Sequence, residues 1–213
     1  MIIDHATAVF VNYYSQKELY NIGRCIGRLS FPIYCFLLVE GFYHTRSVRK
    51  YGMRLLFFAI LSEVPFDLAF SGTINWAHQN VFFTLFLGLV LIWVTDMALK
   101  KNQNREIGKV MACVLLLLLY FVSTLVQADY GFYGVIMIYF FYLFHERKKA
   151  VIISNAAING IMAMGGNRQI YGVFASVFFT LYNGKKGVSL KYFFYAIYPI
   201  HLLLFYYLKC YIT

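Results

Sequence analysis

The feature that most limits what this chain can become is a series of apolar runs, separated by short gaps in which nearly all the basic residues sit. The runs Leu29 to Tyr43 and Leu55 to Phe70 show the pattern best, because they flank the basic hairpin His44-Thr45-Arg46-Ser47-Val48-Arg49-Lys50. In lipid a backbone must satisfy its own polar groups, so such runs are expected to be helices. Composition points the same way. Of the 213 residues 61% are hydrophobic and 13% charged, against about 45–50% apolar and about 25% charged in a soluble domain. The expectation is an all-α, polytopic bundle of membrane helices forming one domain over residues 1–213.

Counting runs gives about nine helices: 1–14, 29–43, 52–70, 80–99, 108–127, 131–145, 150–164, 170–182 and 192–210. The first is short for a bilayer whose hydrocarbon core is about 30 Å thick, but it lacks the basic n-region and cleavage site of a signal peptide. It is therefore kept as a membrane helix. The formal net charge of +10 reads as orientation rather than nucleic-acid binding, because Lys and Arg are confined to the gaps. Of the 19 such residues, fourteen fall in one alternating set of loops, centred on Arg46–Arg54, Lys100–Lys109, Arg147–Lys149 and Lys185–Lys191. The positive-inside rule then puts the N-terminus in the cytoplasm.

Inside the apolar runs sit Glu40, Glu63 and Asp67. A carboxylate in a bilayer interior costs a few kcal/mol, so its default meaning is functional. Glu40 with His44, and Glu63 with Asp67, are spaced i,i+4 and share a helical face. Asp4 and His5 are adjacent and do not face each other, so they are not read as a dyad. Toward the end of the chain Lys191, Tyr195 and Tyr198 share a face, with His201 following Tyr198 and Pro199 loosening the helix between them. By depth, His5, Glu40, His44, Arg46 and Arg54 fall toward the cytoplasm. Arg28, Asp67, Asn80 and Asp129 fall toward the outside, with Glu63 deeper. The four cysteines have no zinc spacing, and no metal is expected. Cys25 and Cys210 would lie near one membrane face, the one pair for which a disulfide is open.

No serine-nucleophile elbow, phosphate-binding loop, zinc-protease motif or dinucleotide fingerprint occurs. The residues instead offer a basic inner rim, buried histidines and carboxylates, and an acidic outer end. A transfer reaction would use all three, with guanidinium groups holding a polyanionic donor and a neutral imidazole taking a proton from the acceptor. A proton-coupled transporter or exporter of a small solute would use the same buried Glu, Asp and His. An assembly factor needing only the helical body, and a haem protein ligated by His5 and His44, are further alternatives.

The motifs Asp4-His5, Arg28-Leu-x-Phe-Pro-Ile, Glu40-Gly-Phe-x-His44-Thr45-Arg46 and Arg54-Leu-x-x-Phe-Ala-x-x-Ser-Glu63-x-Pro65-Phe-Asp67 carry a family likeness. So do Asn80-Val-x-x-Thr84-Leu, Asp129-Tyr-Gly-x-x-Gly134 and Lys191-Tyr-Phe-Phe-Tyr195-x-x-Tyr198-Pro199-x-His201. Together they resemble the TraX family of pilin N-acetylation proteins, which is similar to the wider transmembrane acyltransferases. The likeness runs over nearly the whole chain. It implies a multi-pass protein of the bacterial cytoplasmic membrane that moves acetyl from cytosolic acetyl-CoA, a co-substrate rather than a bound cofactor. The acceptor would be an amine or hydroxyl of an extracytoplasmic molecule, such as a peptide or protein N-terminus or a surface glycan.

On that reading Arg46, Arg54 and Lys191 hold the donor phosphates. His5 is the first choice of general base and His44 the second, with Glu40 orienting His44. Whether the base is transiently acylated stays open. Glu63 and Asp67 bind the acceptor with help from Asn80 and Asp129, while Tyr198 and His201, supported by Arg28, stabilise the oxyanion. Neither nucleic acid nor a metal is implied, and oligomeric state is left open.

Overall fold

A computed structural model describes residues 1–101, 105–166, 168–185 and 190–212. The described chain is all-helical, and within it a lone parallel bridge pairs Gln79 with Ala128. In order come α1 (Ile2–Phe10), α2 (Lys17–Gly27), α3 (Ser30–His44), α4 (Val48–Ser71), α5 (Val81–Lys101), α6 (Arg105–Val126), α7 (Gly131–Leu143) and α8 (Lys148–Ala163). A 3-10 helix (Arg168–Ala175) then leads into α9 (Ser176–Leu181) and the final α10 (Lys191–Ile212).

Most expected runs became helices with nearly the expected bounds, but nine spanning helices did not. Among the described residues four helical stretches are long and apolar enough to cross a membrane: Lys17–His44, Val81–Lys100, Gly108–Val126 and Tyr192–Tyr211. Length and charge explain the difference. α1 has 9 residues, α7 has 13 and α8 has 16, where a crossing takes about 20. α4 is long enough at 24 residues, yet carries Arg49, Lys50, Arg54, Glu63 and Asp67. The segment expected as one helix over 170–182 is split between 3-10 and α geometry. Lys17 to Gly27, taken from sequence as a basic loop, is helical and continues toward α3 as one spanning stretch.

The chain gathers into two compact units. The first comprises Met1–Tyr34, Ile60–Trp76 and Lys148–Thr213, and the second Cys35–Ala59 and Ala77–Arg147. In the first, α1 packs on α2 and α10, and α8 on the 3-10 helix. Lipid tails are as apolar as leucine, so helices in a membrane associate through close packing and interhelical hydrogen bonds. Both devices are present here. Gly23 and Gly27, one turn apart on α2, let α1 come so near that a Cβ at either would collide with Thr7 or with the Asp4 carboxylate. Asn12 Oδ1 accepts the Tyr14 N–H at 2.8 Å, which turns the chain from α1 toward α2. In the second unit α5, α6 and α7 pack together around Leu91, Leu119 and Val135.

Candidate functional site

In the first unit, α1 presents two consecutive polar residues to different partners. Asp4 is buried and its Oδ1 meets Arg24 Nη1 at 3.0 Å and Arg28 Nη2 at 3.3 Å. Its neighbour His5 turns to α10, where Nδ1 lies 2.8 Å from His201 Nε2 with the two rings nearly parallel. A helix separates consecutive side chains by about 100°, which is why one residue takes the cations and the next the imidazole. The absence of an Asp4–His5 dyad, expected from their adjacency, is what the structure shows.

The His5 ring also meets Phe70 and Tyr198 edge-on, with centroids at 5.4 and 5.7 Å. Phe70 follows Glu63 and Asp67 by seven and three residues and so shares their face of α4. Glu63 and Asp67 are 1% and 2% exposed. Asp67 Oδ2 accepts the Asn75 N–H at 2.7 Å, so that carboxylate also closes the chain leaving α4. The imidazole on which the chemistry would rest therefore neighbours the helix face that carries both buried acids.

The partner of His5 fixes its place along α10. His201 stands midway along the stretch Tyr192–Tyr211, about 15 Å from either end at 1.5 Å per residue. His5 is hydrogen-bonded to it, so His5 stands beside the middle of that stretch. Periodicity places a residue on a face of its own helix, but not along a neighbouring one. His201 differs from its expected part. Its Nδ1 lies 2.6 Å from the Ile197 carbonyl oxygen and its Nε2 faces His5, so both nitrogens are engaged and neither points an N–H at an oxyanion.

Behind Arg28 runs a polar chain that the sequence reading missed. Arg28 Nη1 reaches Gln169 Oε1 at 3.5 Å, Gln169 Nε2 donates to Asn159 Oδ1 at 2.8 Å, and Asn159 Nδ2 donates to Asn155 Oδ1 at 2.8 Å. Asn155 in turn donates to the Gly172 carbonyl at 3.1 Å and the Ser176 hydroxyl at 3.0 Å. All three amides are buried. The i,i+4 spacing of Asn155 and Asn159 was legible; their partner Gln169, on another element, was not.

The second unit holds a different cluster. Glu40 Oε1 lies 2.7 Å from His145 Nε2, while Oε2 is 3.6 Å from His44 Nε2. Glu40 thus serves His145 more closely than His44, whose side chain is 67% exposed. Tyr43 stacks on the His145 ring at 4.1 Å, and Tyr142 donates to Asp96 Oδ1 at 3.3 Å. His145, 105 residues from Glu40, gave no sequence signal beyond closing an apolar run.

Arg46 is exposed in the turn before α4. Arg54 lies over the Tyr51 ring at 5.6 Å, and its buried Nε makes no hydrogen bond among the described residues. The Lys191 side chain lies outside the described residues. Asn80 bridges α5 to α4, donating to the Ala59 carbonyl at 2.8 Å and accepting the Phe82 N–H at 3.1 Å. Asp129 is exposed; its backbone N–H donates to the Gln79 carbonyl at 2.9 Å, and its own carbonyl accepts the Thr84 hydroxyl. The expected acceptor set is therefore divided, with Glu63 and Asp67 in the first unit and Asn80 and Asp129 in the second. Cys25 and Cys210 are free thiols, and no group of three His, Cys, Asp or Glu among the described residues is arranged for a metal ion.

The family model described as TraX protein matches residues 1–209. The chain belongs to the TraX family. A relative from Dichelobacter nodosus, described as "Probable fimbrial assembly protein FimC, serogroup H1", is 31% identical over 229 aligned positions, covering 96% of this chain and 88% of that protein. No solved structure matches. Family membership agrees with the resemblance carried by Asp4-His5, the Glu40 to Asp67 stretch and the Lys191 to His201 stretch. The apolar helices make this TraX-family chain a membrane protein.

Proposed function

We propose that the chain is a membrane acetyltransferase that passes acetyl from cytosolic acetyl-CoA to an amine or hydroxyl on an extracytoplasmic acceptor, with His5 as general base. Family membership supports a role in modifying a pilin-like protein, and the relative named for fimbrial assembly makes a fimbrial subunit's N-terminal amine the leading acceptor. The observation that carries the reading is the His5 imidazole, bonded to His201 and set against the helix face of Glu63 and Asp67.

In the reaction, Glu63 and Asp67 attract the acceptor ammonium, which releases one proton to solvent before its nitrogen can attack. The neutral amine forms a bond to the thioester carbon, and His5 takes the proton released. The carbon–sulfur bond then breaks, and the departing thiolate receives that proton from His5, so the ring ends as it began. Tyr198, buried beside both histidines, stands near the carbonyl oxygen that gathers charge. Arg46 and Arg54, which have no carboxylate partner among the described residues, bind the donor phosphates. The bacterial cytoplasmic membrane, with the N-terminus inside, is the setting this requires.

The test is transfer of labelled acetyl from acetyl-CoA to a fimbrial-subunit peptide in membranes. Transfer by the native chain and its loss in His5→Gln is the expected result. Transfer that persists in that variant removes His5 from the role. A second reading rests on the buried pair Glu63 and Asp67, which would also suit a proton-coupled transporter. It predicts pH-dependent solute flux and no binding of acetyl-CoA by calorimetry.

A further inference from the structure

The hydrogen bonds around His201 decide which nitrogen of His5 carries its proton. A carbonyl oxygen has no proton to give, so the 2.6 Å contact between His201 Nδ1 and the Ile197 oxygen requires that Nδ1 donate. A neutral His201 then has a bare Nε2, which can only accept. The 2.8 Å contact with His5 Nδ1 is satisfied when His5 donates from Nδ1, and a neutral imidazole with a proton on Nδ1 has its lone pair on Nε2. No described residue hydrogen-bonds that Nε2.

Resting on the acetyltransferase reading, we infer that His201 is a positioning residue that fixes His5 as the Nδ1–H tautomer, so that Nε2 of His5 is the atom that takes the acceptor's proton. The orienting chain is Ile197 carbonyl, His201, His5. It replaces the carboxylate that more often orients a catalytic histidine, since the adjacent Asp4 is held by Arg24 and Arg28. The buried Tyr198 keeps this part of α10 in place, its ring lying edge-on to both imidazoles. Neither histidine ring has a carboxylate partner among the described residues. When His5 accepts a proton at Nε2, its Nδ1 proton can pass to His201 Nε2, and the cation is then shared between two rings with the Ile197 oxygen facing one end.

The tautomer is read directly from nitrogen-15 spectra of histidine-labelled full-length protein in lipid nanodiscs, with His5→Gln and His201→Gln used to assign the signals. The expected result is a protonated Nδ1 and a bare Nε2 on His5. The opposite tautomer, or a mixture in the native protein, overturns the inference. This measurement needs no acetyl-CoA, so it stands or falls separately from the reaction. Turnover supplies the second arm. His201→Leu removes the acceptor and should lower kcat about 100-fold, with KM for acetyl-CoA unchanged. The amide oxygen of Gln, at the place of the lost Nε2, should recover most of that loss. Unchanged kcat in His201→Leu, or equal loss in both variants, overturns the positioning role.

Discussion

Two histidine clusters occupy the two units, and they are built on opposite principles. In the first, His5 bonds to another imidazole, and the nearby carboxylate, Asp4, is held by two arginines. In the second, one carboxylate, Glu40, is shared between His145 and His44, with Tyr43 stacked over the nearer ring. An imidazole orienting another imidazole leaves a bare nitrogen for chemistry. In the second unit Glu40 occupies Nε2 of His145, and Tyr43 covers a face of that ring. Each cluster contains two histidines and an acid, and on the proposed acetyltransferase reading the first supplies the base.

The most severe test of this division is His5→Gln, which should cut transfer by about 10²–10⁴-fold, the usual contribution of a positioned base. A comparable fall for His145→Gln would break the comparison by moving the base to the second unit. Next comes the double change Arg46→Ala, Arg54→Ala. Each lost charge-assisted hydrogen bond is worth about 1.5–3 kcal/mol, so with two lost KM for acetyl-CoA should rise about 100-fold or more while kcat holds. Steady-state kinetics in membranes reads both constants.

Smaller effects should appear in stability. Asp4→Asn leaves two partly buried guanidinium groups without their carboxylate, and Gly27→Ala drives a methyl group into Asp4. Each should cost about 1–3 kcal/mol, seen as a lower melting temperature in detergent. An unchanged melt in Asp4→Asn would mean that the arginines serve something other than the α1 contact. The mildest change is Glu40→Gln, which keeps the shape of the side chain and removes its charge. It should cost about 1 kcal/mol and lower kcat far less than His5→Gln does, a contrast that sharpens the distinction between the two clusters.

Much of the site was legible in the chain as separate pieces. Glu63 and Asp67 stood out because charge inside an apolar run is expensive, and they are buried as that argument requires. The family motifs singled out His5, Tyr198 and His201. Their assembly was not legible. His5 and His201 are 196 residues apart, and nothing local to either specifies the other. His145 and Gln169 were overlooked for the same reason, since each matters only through a partner on another element.

The sequence by itself determined most of the helices, the membrane setting and the buried carboxylates Glu63 and Asp67. These follow from composition and from 3.6-residue periodicity, which act over one or two turns. Only the tertiary structure decided how many helices are long and apolar enough to cross, that Asp4 belongs to Arg24 and Arg28, and that His201 faces His5. Those outcomes depend on how closely α1 can approach its neighbours, which Gly23 and Gly27 set on one side. They depend also on which hydrogen bonds remain to be made once water is gone, and that is a property of the packed helices together.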